Sequence, residues 1–228
     1  MLGRSLLTLS VLVLLLASGC QQPRRFPAGR MSRARVAIAD AANVPAAKGN
    51  FDYYLFTLSW SPEYCHGHPK AQQCNGAHSG FVVHGLWPQF NNGRWPSACS
   101  SAPGLSNPSS MLDIMPDPRL IQHEWTTHGT CSGLTSKQYF SVIRKAYESI
   151  RIPSSLVSPS HTITRSAGRI KQMFTDANPG MSPDDIAVDC HNRYLSAVEF
   201  CLGKDLQPIA CRAVRDCTAL SVRIPAAQ

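Results

Sequence analysis

The chain has 228 residues and a formal net charge of +8. This length suits one domain with a substantial core and is short for two. The charge is uneven, because residues 1–49 hold seven basic residues and one acid, whereas residues 50–228 hold 15 basic and 13 acidic residues. The second part therefore carries only +2 (15 − 13), so bulk charge gives no reason to place it among polyanion-binding proteins.

The first 20 residues have the pattern of an export signal. Arg4 precedes an apolar run from Leu6 to Ala17, and small residues then lead to Cys20. The run is too short for a membrane span, so it predicts a secretory signal peptide. The ending Leu16-Ala17-Ser18-Gly19-Cys20 also resembles the lipobox of bacterial lipoproteins, in which the cysteine is acylated. A plain signal peptide with an unmodified Cys20 is the alternative.

Residues 21–49 contain few aliphatic residues, scattered proline and glycine, and no regular period. This composition predicts a disordered basic tether between the signal and a domain over residues 50–228. If Cys20 carries lipid, the arginines of the tether could lie against anionic headgroups. Their alternative role is to keep a linker solvated. The expected location is the periplasm, the cell envelope or the extracellular space.

The domain begins with two predicted strands separated by about 20 residues. Phe51–Trp60 is rich in aromatic and β-forming residues, and Ser79–Trp87 is a second apolar run that ends at Pro88. Residues 89–117 contain Asn-Asn-Gly and several prolines, which is typical of a loop.

Three helices are predicted next. Asp117-Pro118 supplies an N-cap and a proline at the first helical position, and this helix ends at Gly129. Ser136–Ile152 has apolar residues at helical spacing and is followed by a proline. Residues 166–177 form the third predicted helix, closed by Pro-Gly.

The C-terminal part returns to strands. Ile186–Cys190 and Tyr194–Leu202 predict two strands around a tight turn, and a short strand is expected within 208–224. Strands and helices are intermixed without a βαβ repeat. The predicted fold class is therefore α+β, with a central, mainly antiparallel sheet flanked by helices.

The chain contains nine cysteines. Setting Cys20 aside leaves eight, an even number that suits four disulfides in an oxidising compartment. No C-x-x-C pair occurs, which disfavours structural zinc. Spacing alone does not choose among the 105 pairings that eight cysteines allow.

Two segments carry candidate chemistry. FVVHGLWP places His84 near the end of a predicted strand, and HEWTTHGTC lies on the predicted helix that ends at Gly129. At about 100° per residue, His123, Glu124, Thr127 and His128 fall within an arc of roughly 140°. One side of the helix therefore offers two imidazoles, a carboxylate and a hydroxyl.

The second segment is not the H-E-x-x-H motif of zinc proteases. That motif needs histidines at i and i+4, and here residue 127 is threonine and the second histidine is residue 128. We therefore expect no metal and no cofactor. Two histidines with a carboxylate instead suit a reaction that needs an acid and a base together.

Taken in order, these two segments resemble the two active-site segments of the ribonuclease T2 family, the acid endoribonucleases of α+β fold. The opening strand LSWSPEYC and the run from Ile186 to Cys217 are also similar to that family, so the resemblance spans residues 51–217. It implies cleavage of single-stranded RNA, without metal. The 2′-OH of the RNA attacks its own phosphate and leaves a 2′,3′-cyclic phosphate.

The resemblance also assigns roles to individual residues. His84 matches the general acid and His128 the general base, while Glu124 matches a glutamate that assists at the phosphate or orients the base. The implied substrate-binding residues are His123 at the phosphate and Trp87 near the base and phosphate. Thr127, on the same side of the helix, is a third candidate because it offers a hydroxyl donor.

Cysteine pairing follows from the same resemblance. It implies three disulfides, which are Cys99–Cys131, Cys190–Cys217 and Cys201–Cys211. Cys65 and Cys74 remain and would form the fourth.

One position departs from the family pattern. Many members have lysine immediately before the second-segment histidine, where this chain has Thr127. Losing that cation predicts weaker stabilisation of the charged transition state and reduced or differently tuned activity. The alternative function is a catalytically weakened RNA- or protein-binding member of the same fold. A monomer is the default expectation.

Overall fold

The computed structural model describes residues 44–75 and 80–227. The signal segment, Cys20 and residues 21–43 of the predicted tether lie outside these ranges. Within them, no helix combines the length and apolar character that crossing a membrane requires. The described chain is a mixed α and β structure, and the predicted α+β fold class is confirmed.

The described strands form a six-stranded sheet. Its strand order is β2-β1-β5-β6-β3, and β4 lies off this path, where it also pairs with β5. All pairings are antiparallel except one parallel contact between Tyr194 and Arg223. The strands are β1 (Tyr53–Trp60), β2 (Phe81–Gln89), β3 (Ile163–Arg165), β4 (Ile186–His191), β5 (Tyr194–Leu202) and β6 (Val222–Ile224).

The α-helices of the described part are α1 (Ser61–Gly67), α2 (Pro118–Thr127), α3 (Ser136–Ser149) and α4 (Ala167–Ala177). The Asp117 side chain accepts a hydrogen bond from the backbone N–H of Arg119 at 2.8 Å, so the predicted cap of α2 is present. Helix α3 ends earlier than predicted, because Ile150 is already extended and the residue before Pro153 avoids helical geometry. The short elements α1 and β3 were not predicted.

Strand β1 lies between two layers of apolar side chains. Tyr54 and Phe56 alternate into the main core, which α2, α3 and α4 cover. Tyr53 and Leu55 point to the opposite face and form a smaller cluster with Cys201. Because both faces of β1 are covered, its sequence is a near-continuous apolar run without the alternation of a half-exposed strand.

Four disulfides tie the described chain together, with the pairs that the family resemblance implied. They are Cys65–Cys74, Cys99–Cys131, Cys190–Cys217 and Cys201–Cys211. Such a set is typical of proteins in an oxidising compartment.

Residues 44–49 fall inside the predicted tether, but the structure packs them on the domain. Val44 and Ala47 contact the main core, and the backbone N–H of Gly49 donates to the carbonyl of Ser132 at 2.9 Å. The carbonyl of Gly49 accepts from the Lys204 ammonium at 3.1 Å. The folded part therefore includes residues 44–49.

The predicted end of the second strand at Pro88 is wrong. Strand β2 continues through Pro88 to Gln89, whose partner on β1 is Tyr53. Proline is tolerated there because β2 is an edge strand, where a missing backbone donor removes no central ladder bond. His84 consequently lies in the middle of a strand and not at its end.

Candidate active site

Strand β2 contains a β-bulge at His84. Thr57 of β1 pairs with Gly85, and the next residue, Leu58, pairs with Val83, so His84 is an extra residue on β2. A bulge of this kind redirects a side chain. His84 therefore shares a face with Trp87, although residues three apart in a regular strand point to opposite faces. Their ring centroids are 5.1 Å apart, edge to face.

Gly85 forms a notch in which a carboxyl group lies. The side chain of Glu124 is 1% exposed and approaches so closely that a Cβ on Gly85 would be 2.1 Å from its Oε2. The same Cβ would be 2.4 Å from Nε1 of Trp87. Only glycine leaves room here, so Gly85 belongs to the site even though it supplies no reactive group.

The carboxyl group of Glu124 joins the two segments. Its Oε2 accepts a hydrogen bond from Trp87 Nε1 at 2.7 Å, and its Oε1 lies 3.8 Å from Nε2 of His84. That second oxygen is buried and has no hydrogen-bond partner among the described residues. The separation to His84 is longer than a hydrogen bond, so Oε1 keeps its capacity to bind a further polar atom.

His128 lies at the end of α2, next to the same tryptophan. It is the C-cap of α2, and its backbone N–H donates to the carbonyl of Glu124 at 3.1 Å. Its ring is 5.4 Å from Trp87 and 6.3 Å from His123, centroid to centroid. Its Nδ1 is buried without a described partner.

Thr127 and His123 lie side by side, one turn apart on α2. The Thr127 hydroxyl is 3.4 Å from Nδ1 of His123, at the outer limit of a hydrogen bond. The carbonyl of Thr127 accepts from the backbone N–H of Ala98 at 2.8 Å. The structure thus brings all six predicted active-site side chains together; these are His84, Trp87, His123, Glu124, Thr127 and His128.

Burial shifts the pKa values of three of these side chains, Glu124, His128 and His84, and so affects their charge. It raises the pKa of Glu124 to about 8, although the hydrogen bond from Trp87 acts in the opposite direction. Burial, followed by the neighbouring His123 and His84, lowers the pKa of His128 to about 4. Burial and then His123 also lower the pKa of His84. Near pH 6 the free site therefore favours a neutral Glu124 carboxylic acid and a neutral His128 imidazole.

A metal ion could in principle be held by part of this group. His123, Glu124 and His128 each offer one ligand atom, and these atoms lie within 4.8 Å of one another. One carboxylate oxygen is already engaged by Trp87. The histidines are also at i and i+5, and not at the i and i+4 spacing of helical zinc sites. The donor set therefore fits acid–base chemistry better than a zinc centre.

Two supporting residues were missed by the sequence interpretation. The Tyr139 hydroxyl donates to the Leu86 carbonyl of β2 at 2.7 Å, from a ring that is wholly buried. Gly85 received no role of its own in the sequence interpretation. Its adjacency to His84 was a visible sign of a bulge, since glycine inside a strand often marks one.

The fold and this site together define a class of nuclease. Residues 51–211 match the model of the Ribonuclease T2 family, and the chain belongs to this family. A ribonuclease of Aeromonas hydrophila is 31% identical over 175 residues, covering 74% of this chain and 79% of that protein. Ribonuclease DdI of Dictyostelium discoideum is 30% identical over 178 residues, covering 69% and 76%.

Solved structures share the architecture. RNase NT, in complex with 5′-AMP, has a TM-score of 0.59 at 23% identity, covering 78% of this chain and 99% of that one. The RNase-related protein from Calystegia sepium has a TM-score of 0.58 at 22% identity, covering 78% and 98%. At these identities the likeness shows the fold alone, and it agrees with the sheet and helices described above.

Proposed function

We propose that this protein is an exported endoribonuclease that cleaves single-stranded RNA by attack of the 2′-OH on the adjacent phosphate. The products carry a 2′,3′-cyclic phosphate, and no metal takes part. The observation that carries the proposal is the buried Glu124 carboxyl, which accepts a hydrogen bond from Trp87. Nε2 of His84 lies 3.8 Å from its Oε1, and a ring nitrogen of His128 lies within 4.8 Å of a carboxyl oxygen. Family membership supplies the substrate class.

His128 is the proposed general base. A base must be neutral when substrate arrives, and the low pKa of His128 keeps it neutral above about pH 4. It takes the proton of the 2′-OH as that oxygen forms its bond to phosphorus.

His84 is the proposed general acid, which protonates the departing 5′-oxygen as the P–O bond breaks. It must be protonated first, and burial disfavours that charge in the free enzyme. A bound phosphodiester anion favours the charged imidazole and raises its pKa. We therefore expect an acidic to neutral pH optimum.

Glu124 and His123 are the proposed phosphate-assisting groups. A glutamic acid that stays neutral up to about pH 8 can donate a hydrogen bond to a phosphate oxygen without repelling it. His123 and the Thr127 hydroxyl lie along the same side of α2 and supply further donors. Trp87 both fixes Glu124 and offers a ring face near the reacting phosphate.

Export is part of the proposal, and four disulfides support it. We propose a periplasmic, envelope-bound or extracellular monomer whose folded domain follows a basic tether, with membrane anchoring through acylated Cys20. Detergent-phase partitioning of the native protein, compared with Cys20→Ser, tests the anchor. Equal partitioning of both proteins would leave a plain signal peptide.

The decisive experiment is a digest of mixed-sequence RNA by oxidised residues 44–228, with and without EDTA, analysed by mass spectrometry. The expected products end in 2′,3′-cyclic phosphate and form equally with EDTA. Alanine at both His84 and His128 should abolish them, since each acid–base group contributes about 10²- to 10⁴-fold.

Three outcomes separate the alternatives. Loss of activity with EDTA and its recovery with zinc would replace acid–base catalysis by a metal at His123, Glu124 and His128. Cleavage that survives the double variant would reject the proposed pair. No cleavage between pH 4 and 8, with RNA still bound, would favour a catalytically weakened binding protein.

A further inference from the structure

One side chain outside the proposed chemistry contacts both active-site segments. Tyr139 lies in the first turn of α3 and is fully buried. Its hydroxyl donates to the Leu86 carbonyl at 2.7 Å. Leu86 stands between Gly85, which forms the notch for the carboxyl group, and Trp87, which donates to that group.

The ring of the same tyrosine contacts the end of α2. A Cβ on Gly129 would be 2.8 Å from Cδ1 of Tyr139 and 2.9 Å from its Cε1. Gly129 directly follows His128, so the aromatic ring lies against the backbone that carries the proposed base. The ring also packs on Trp125, with centroids 5.9 Å apart.

The hydroxyl of Tyr139 is a permanent donor. Burial, and after it the neighbouring Glu124 carboxyl, raises the pKa of Tyr139 well above its ordinary value. The hydroxyl therefore keeps its proton throughout the acidic to neutral range of the proposed reaction. Its bond to a backbone carbonyl is buried, where leaving that carbonyl unpaired is costly.

We propose that Tyr139 is a positioning residue that sets the distance between the two active-site segments. Strand β2 and helix α2 share no backbone ladder, and the described polar link between them is the carboxyl group of Glu124. Tyr139 holds β2 in place through its hydrogen bond to the Leu86 carbonyl. It holds the end of α2 through the contact of its ring with Gly129. This inference rests on the proposed function, because a mispositioned acid or base matters only if the two act on one phosphate.

The neighbouring strand offers a matched control. Tyr54 on β1 is also fully buried, and its hydroxyl has no hydrogen-bond partner among the described residues. Tyr54→Phe removes a hydroxyl of the same size from the same core without breaking a bond. Tyr139→Phe removes one hydroxyl and one bond, so the difference between the variants isolates that bond.

The test measures kcat and KM for a dinucleotide substrate, the pH–rate profile, and the indole N–H resonance of Trp87 by ¹⁵N NMR. Tyr139→Phe should lower kcat about tenfold with little change in KM, because a displacement well under 1 Å already impairs transition-state alignment. The Trp87 resonance should move, and the alkaline limb of the profile should shift down as water reaches Glu124. Tyr54→Phe should match the wild type in all three.

Rescue and failure are both defined. Placing 4-aminophenylalanine at position 139 keeps a donor on the same ring and should restore most of the kcat and the Trp87 resonance. An unmoved Trp87 resonance in Tyr139→Phe, or equal effects of the two phenylalanine variants, would reduce Tyr139 to core packing. The resonance tests Tyr139 even if the wild type cuts no RNA, an outcome that would overturn the proposed function separately.

Discussion

The two active-site segments present their side chains by opposite means. On α2 the groups follow the helical repeat, so His123, Glu124 and His128 share one side because of their spacing alone. On β2 the two-residue repeat is interrupted by a bulge, so His84 and Trp87 share a face although they lie three residues apart. A regular element needs only correct spacing, whereas an irregular one needs specific contacts that hold the irregularity in place.

The bulge is stabilised by the side chains that pack against it. Gly85 leaves room for the carboxyl group of Glu124, and Trp87 donates a hydrogen bond to that group. The end of α2 is held by its own caps and by the Cys99–Cys131 disulfide. Damage to β2 should therefore appear first in activity, and damage at the end of α2 first in stability.

The largest expected effect comes from exchanging the two glycines for alanine. In Gly85→Ala the new methyl group would displace Glu124 and Trp87, so kcat should fall by about 100-fold or more while the fold is retained. In Gly129→Ala the methyl group would instead press on Trp125, 2.5 Å away, and on Tyr139. That should cost about 1–3 kcal/mol of stability, with a smaller loss of kcat.

Thermal melts and steady-state kinetics on both glycine variants check this. Neither position has a left-handed backbone, so space alone is at issue. A Gly85→Ala enzyme with wild-type kcat would mean that the notch has no catalytic role.

The pH dependence of stability compares two groups on α2 with opposite signs. The raised pKa of Glu124 means that the folded state holds a proton the unfolded state has lost, so stability falls between about pH 4.5 and 8. The lowered pKa of His128 means the reverse, so stability rises between about pH 4 and 6.5. Each slope is at most about 1.4 kcal/mol per pH unit.

Denaturant melts across pH 4 to 9 measure these slopes. Glu124→Gln should remove the decline between about pH 7 and 8, where neither His128 nor Glu199, whose pKa burial raises to about 7, contributes. His128→Gln should leave the decline from Glu124 uncompensated between pH 4.5 and 6.5, because the opposing rise is lost. An unchanged profile in Glu124→Gln would show that this carboxyl titrates normally.

Thr127→Lys supplies α2 with the cation that many family members have. Next to His123 and the proposed phosphate position, it should raise kcat about tenfold by stabilising negative charge in the transition state. Thr127→Met is the matched control, since it adds comparable length without charge and should give no gain. Equal rates for the lysine and wild-type enzymes would indicate another cation at the site.

The smallest expected effect follows from shortening the N-terminus. Residues 51–228 lack the bond from Gly49 to Ser132 and the packing of Val44 and Ala47 that residues 44–228 retain. We expect a loss of about 1–2 kcal/mol, from one buried hydrogen bond and modest apolar area. KM should not change. Equal melting temperatures would place the start of the domain after residue 50.

The sequence was sufficient where periodicity and local chemistry act alone. The cap at Asp117, the polar side of α2 and the strands β1, β4 and β5 all follow from local patterns. The family resemblance added the disulfide pairs, which spacing leaves open. The predicted roles of the site residues stay predictions until the variants are measured.

What could not be predicted depends on contacts between distant residues. The bulge at His84 exists only relative to the register of β1, and the single-sequence pattern of β2 does not contain that register. The docking of residues 44–49 likewise depends on hydrogen bonds of Gly49 with the Ser132 carbonyl and the Lys204 ammonium. Tyr139 looked like an ordinary core position of an amphipathic helix, and its bond to Leu86 spans 53 residues of sequence.

The bulge has a consequence for how the length of this segment can vary. Deleting Gly85 would restore strict alternation and leave His84 and Trp87 on one face, with Val83 and Leu86 on the other. The extra residue is therefore not needed to aim any of these four side chains. The extra residue instead adds one position without a side chain. The space occupied by the Glu124 carboxyl can therefore be created by inserting a single glycine into a regular strand.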